Sequence, residues 1–163
     1  MPLIDKALEG ELIGVYEKGS KGNRDPKTVG RKTAKAYFNY VKQGKDVGGG
    51  TFTAMPGNSQ LIQKLGDVYS KKKGNGSLQG SAMARAFNDC LGTFTTNYQV
   101  SIVTAGGFAT LTPALQAILS KPNDSSTKFA QDLAKALHAF TSAAIISLIV
   151  PDSPGVPMTG PIV

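Results

Sequence analysis

Side chains suited to chemistry near neutral pH are scarce in this chain, which holds one histidine, one cysteine and no tryptophan among 163 residues. A general base or metal ligand at His138 needs a second strong group three or four positions away on the same helical face. Those positions hold Ala134, Lys135, Thr141 and Ser142, none of which is a carboxylate, an imidazole or a thiol. A structural histidine is predicted. Cys90 lies between Phe87 and Phe94 in an apolar stripe, where a thiol behaves as a small hydrophobe with no cation to activate it. Gly74, Gly76 and Gly80 approach a dinucleotide loop, but that fingerprint needs its third glycine one position earlier and a strand before the first. Lys71-Lys72-Lys73 reads as a solvated helix end, and the acceptor patterns Asn75-Gly76-Ser77 and Asn123-Asp124-Ser125 read only as loops. The residues therefore predict a non-enzymatic protein with no catalytic residue, no metal site and no cofactor.

Charge is the remaining chemical signal. Of the formal +7, all sits in residues 1–81, where 14 Lys and Arg face 7 Asp and Glu; residues 82–163 hold four of each sign. A one-sided basic field suits an acidic partner. The cations concentrate on one element: Arg31, Lys32, Lys35 and Lys42 oppose a stripe of Val29, Thr33, Ala36, Tyr37 and Tyr40, and Arg24, Lys27 and Lys45 extend the face. Such a face is either simply solvated or open to phosphate contact without sequence readout, because Tyr37 and Tyr40 belong to the apolar side and no recognition module is present. Docking on an acidic protein fits equally well.

The elements that position these residues follow from periodicity. Leu8, Leu12, Ile13 and Tyr16 predict a helix over 5–18, and Asp25-Pro26 opens a second that runs to about Gln43. Gly48-Gly49-Gly50 and Pro56-Gly57 predict a mobile loop over 44–57, followed by a helix capped by Asn58 or Ser59. A fourth helix is expected from Ser77 to about Thr104, with a β-hairpin within 93–112 as the competing reading. Thr112-Pro113 opens a short helix, and a last one runs from Ser125 or Ser126 to about Val150. No internal repeat at a fixed period stands out. The fold class is thus a mainly-α bundle of about five or six helices, one domain over 1–150, with an extended Pro-rich arm over 151–163.

In the last helix, apolar residues occupy every face beyond Phe140. That predicts burial by another subunit through Ala143, Ala144, Ile145, Ile146, Leu148, Ile149 and Val150, with Pro151, Pro154, Val156, Pro157, Pro161 and Ile162 of the arm crossing to a neighbour. Ala143–Val150 is far short of the roughly 20 residues of a membrane span, so no membrane insertion is expected. A lone cysteine and a start without a basic, apolar leader point to reducing cytoplasm.

The segment Lys128-Phe129-Ala130-Gln131-Asp132-Leu133-Ala134-Lys135-Ala136-Leu137-His138-Ala139-Phe140-Thr141, followed by an apolar turn and Pro154-Gly155-Val156-Pro157-Met158-Thr159-Gly160-Pro161-Ile162-Val163, resembles the ends of small virion structural proteins of tailed bacteriophages. The resemblance covers 125–163, and 58–124 in general character. It implies an assembly protein of the tail, baseplate, neck or capsid, made in the host cytoplasm, present as a homo-oligomer or in several copies, and partnered by other virion proteins. A basic nucleic-acid-binding or packaging accessory protein is the alternative.

Overall fold

Three of the helices begin on side-chain caps that lie fifty residues apart. Asp25 Oδ2 accepts from Thr28 N (2.9 Å), Asn75 Oδ1 from Ser77 N (2.9 Å) and Ser125 Oγ from Lys128 N (3.1 Å). The computed structural model describes residues 3–17, 25–71, 74–98, 100–121, 125–149 and 157–163, with backbone alone for Val103, Ile149 and Pro157. Its helices are α1 (Asp5–Tyr16), α2 (Pro26–Lys42), α3 (Asn58–Ser70), α4 (Gly76–Leu91), α5 (Ala105–Leu119) and α6 (Ser126–Ser142). Its strands are β1 (Phe52–Ala54), β2 (Thr95–Thr96), β3 (Ser101–Val103), β4 (Ile145–Ile149) and β5 (Pro157–Pro161). The chain is a mainly helical single domain, as its periodicity predicts.

The structure also shows a repeat that the sequence reading missed. The pairs α1–α2, α3–α4 and α5–α6 are three copies of one unit. In the first helices the buried residues run Leu8, Leu12, Val15, then Leu61, Leu65, Val68, then Leu111, Leu115, Ile118. In the second helices Thr33, Ala34, Tyr37 and Val41 correspond to Met83, Ala84, Phe87 and Leu91 and to Leu133, Ala134, Leu137 and Thr141; all twelve are buried. The packing closes on itself, with α2 against α3, α4 against α5 and α6 against α1. Three like units joined head to tail in this way surround a pseudo-threefold axis. Close approach between units needs glycine: a Cβ on Gly30 would stand 2.8 Å from Gly66 N, and one on Gly80 would stand 2.5 Å from the equivalent Gln116 N.

Several expected boundaries change. α4 stops at Leu91, not near Thr104, because Thr93 Oγ1 turns back to Cys90 O (2.7 Å) and Phe94 enters the core. Strands do occur within 93–112, but β2 and β3 pair elsewhere and not with each other. α5 begins at Ala105, with Pro113 inside it. The hydroxyls of Thr110 and Thr112 bond to the carbonyls of Gly107 and Phe108 around this proline, and Gly107 lets the helix meet Phe140. α3 starts at Asn58 itself, without a side-chain cap. The final helix ends at Ser142 rather than Val150. Ile146 and Leu148 then alternate inward while Ile145 is exposed, which is the period of a strand.

The strands crown one end of the bundle. β4 lies between β3 (Ile145 opposite Val103) and β5 (Ile145 opposite Pro161). Lys45 exchanges backbone bonds with Val163 and forms a bridge with Thr51, and β1 pairs with β2 (Ala54 opposite Thr95). Lys45, Thr95 and Ile145 are thus equivalent, each paired to an extended segment that follows the preceding unit. The expected loose loop at 44–57 is organised by the buried Asp46, whose Oδ1 accepts from Gly48 N (2.9 Å) and Gly50 N (2.7 Å).

Candidate interaction surface

Residues that share a place in different units and also touch each other must lie near the axis. Asp46 and Thr96 do so, as do Tyr37 and Phe87, whose rings meet edge to face at 5.0 Å. Tyr16 and Tyr69 are joined by a hydrogen bond between their hydroxyls, and Thr33 Oγ1 lies 2.8 Å from the Tyr16 hydroxyl. The axis is therefore filled by packed side chains. Burial pushes the Tyr69 hydroxyl up to about 12 and those of Tyr16 and Tyr37 well above their ordinary value.

Cys90 and His138 are held by packing and hydrogen bonding. Cys90 is 2% exposed, and burial pushes its thiol up to about 12, the opposite of what a nucleophile needs. His138 Nδ1 lies 2.6 Å from the Tyr40 hydroxyl, a partner from α2 that the sequence did not suggest. Among the described residues, no group of three or more His, Cys, Asp or Glu is placed to hold a metal ion, and no helix is long and apolar enough to cross a membrane.

Part of the apolar set expected to meet another subunit at the C-terminus packs within the chain itself. Ala144, Ile146, Leu148 and Ile162 are buried in this protein's own core, and Pro161 is paired to Ile145. Only Ala143, Ile145 and Pro161 of that set face solvent, Ile149 and Pro157 are backbone positions in β4 and β5, and Val150, Pro151, Pro154 and Val156 lie outside the described residues. The described part of the arm is no free strap: β5 completes the sheet, and Ile162 packs beside Leu3 at Gly44. The all-round apolar helix that pointed to a homo-oligomer is thus, over Ile145–Ile149, a strand of this chain's own sheet.

The structure shows the exposure of the described cations of the basic face and nothing of any partner that meets them. Lys27, Arg31, Lys32, Lys35, Lys42 and Lys45 are all exposed, with Lys42 Nζ 5.9 Å above the Phe38 ring; Arg24 lies outside the described residues. Tyr37 and Tyr40 are core residues, as predicted. What the sequence reading missed is that Lys35 has counterparts. Arg85 and Lys135 take the same place on α4 and α6, each exposed, within Ala34-Lys35-Ala36, Ala84-Arg85-Ala86 and Ala134-Lys135-Ala136. Alignment of those triplets, fifty residues apart, is the signal that would have found them.

Comparison with known proteins adds no relative. No protein family, curated protein or solved structure matches the chain.

A shallow, open groove lies on the surface. It runs between α3 and α4, holds about 700 Å³, and is lined by Lys64, Asp67, Lys71, Leu78, Arg85 and Asp89 among others. Lys64 bridges Asp89 across it at 2.8 Å. The equivalent place in the first unit holds a hydrogen-bonded pair, Asn39 Nδ2 donating to Glu11 (3.1 and 3.3 Å). A polar tie between the two helices is thus kept while its residue types change.

Proposed function

We propose that this protein is a non-enzymatic assembly component of a tailed-phage particle, acting as a single-chain adaptor with three like sides. The observation that carries the reading is the cyclic packing of three equivalent helix pairs. Oligomeric shells and rings are built on rotational symmetry, and a body seated on a threefold axis must offer the same surface three times. A chain holding three fused units does this with one copy. The units have diverged, so each side can also contact something its sisters do not. The resemblance of residues 125–163 to tailed-phage structural proteins supplies the setting, the virion, and the partners, other virion proteins.

Mass spectrometry of purified particles, with electron cryomicroscopy of those particles, tests the reading. It expects the chain in the particle, on an axis whose order is a multiple of three. Absence from particles, or particles that assemble unchanged when the chain is deleted, would overturn it.

The exposed cations of α2 favour a second reading, a nucleic-acid-binding accessory protein. That reading expects retention of duplex DNA at low salt, steep loss as salt rises, and weakening when Arg31, Lys35 and Lys42 are neutralised.

A further inference from the structure

With three copies of a unit in one chain, a surface residue kept in all of them is informative without any second sequence. Three positions are exposed in every unit on the second helices or, for Gly92, at the cap just after one. Two have lost their chemistry: Lys27, Ser77 and Thr127 at one, Lys42, Gly92 and Ser142 at the other. The third keeps a cation throughout as Lys35, Arg85 and Lys135, and none of these makes an ion pair or hydrogen bond among the described residues. Neither stability nor capping accounts for that retention, because an unpaired surface cation in mid-helix contributes almost nothing to folding.

In the second unit this cation stands in a groove. Arg85 lines the α3–α4 groove beside Leu78, which is 71% exposed although large and apolar. Asp67 and Asp89 lie among the groove's cations, and Lys64 is tied to Asp89, so the positive charge there stands at separate points, which suit spaced carboxylates better than an unbroken phosphate backbone. Among the described residues no aromatic ring lines it for a base to stack on. A protein segment that carries carboxylates and an apolar side chain meets both Arg85 and Leu78.

We infer that Lys35, Arg85 and Lys135 are equivalent docking points for the carboxylates of three identical acidic segments, supplied by a threefold-symmetric protein partner. This rests on the assembly reading for the partner's identity, though not for the binding itself. Charge of this kind sets encounter and orientation, and three modest contacts made together give tight association.

The test titrates the full chain, observed by backbone NMR, with a synthetic amphipathic peptide of glutamate and leucine about fifteen residues long, and with its counterpart carrying lysine for glutamate. The acidic peptide should shift resonances around Arg85 and Leu78, and around Lys35 and Lys135. Arg85→Gln should remove the first set alone, and the triple glutamine variant should weaken binding about tenfold or more while unfolding like the parent. The same peptide tethered to a three-stranded coiled coil should bind about a hundredfold more tightly than the free peptide. An equal response to the lysine peptide, or a triple variant that binds as the parent does, would overturn the inference. A tethered form no tighter than the free one would remove the threefold partner, and duplex DNA displacing the peptide from these residues would assign the surface to nucleic acid. Absence of the chain from particles would sink the assembly reading and leave this binding standing.

Discussion

Asp46 and Thr96 lie fifty residues apart, at the same place in successive units, and Thr96 Oγ1 donates to Asp46 Oδ2 at 2.7 Å inside the crown. Both side chains are buried, and the other carboxylate oxygen is occupied by two glycine amides. Asp46→Ala should strand three donors and cost about 2–4 kcal/mol, whereas Thr96→Val, which removes one donor and keeps the shape, should cost about 1 kcal/mol. Urea unfolding of the two variants checks the order. Equal losses would mean that the glycine amides contribute nothing.

Helix contacts between units should be intolerant of a single methyl group. Gly80→Ala would press its Cβ against the backbone of Gln116 and Leu115 and should cost about 1–3 kcal/mol. Gly10, in α1, has nothing within 4 Å of an added Cβ, so Gly10→Ala should instead stabilise by about 0.5–1 kcal/mol. Opposite shifts in thermal midpoint are the expected result.

Alkaline pH should unfold the protein cooperatively. Four of the five tyrosines, Tyr16, Tyr37, Tyr40 and Tyr69, are raised above 10.0 by burial, and Cys90 is raised from 9.0 to about 12. Raised acids hold more protons folded than unfolded, so their share of stability is complete below pH 9 and is lost as the pH climbs towards 12 and beyond. Tyrosinate absorbance from these four should appear together with loss of helix. Titration of Tyr69 near its ordinary value, with the helices intact, would contradict the packing around Tyr16.

Removing residues 157–163 should destabilise the isolated chain. The deletion takes β5 from β4, Val163 from Lys45 and the Ile162 side chain from Leu3, and should cost about 3 kcal/mol or more through exposed Leu148 and Ile146. An arm that served only neighbours would leave the monomer's unfolding curve where it was.

The legible parts of this fold were those settled locally. Asp25-Pro26 and the Leu61–Val68 stripe fix α2 and α3 through caps and period, whatever lies beyond. Ile145–Ile149 and Ala105–Thr112 went the other way because their partners are remote: β4 is chosen by β3 and β5, and the first turns of α5 by Phe140. The repeat stayed hidden because its identical core residues, such as Leu8, Leu61 and Leu111 or Ala34, Ala84 and Ala134, are of common types, while the larger ones change, Tyr37 answering to Phe87 and Leu137. Of the candidate surface, Lys35 stood out within a dense basic helix, whereas Arg85 and Lys135 sit alone among alanines and gain meaning only from their position around the axis.

The contact between α6 and α1, with Glu9 bonded to Gln131 across 122 positions of chain, closes the units into a circle. Open repeat arrays fray from their ends, because each member leans only on its neighbours. Here no unit is terminal, so none can detach without exposing faces of both others, and melting should be all-or-none despite the modular sequence. The same closure must bring together segments more than a hundred residues apart before the reward of packing is complete, which places this protein among slower folders than its helix content suggests.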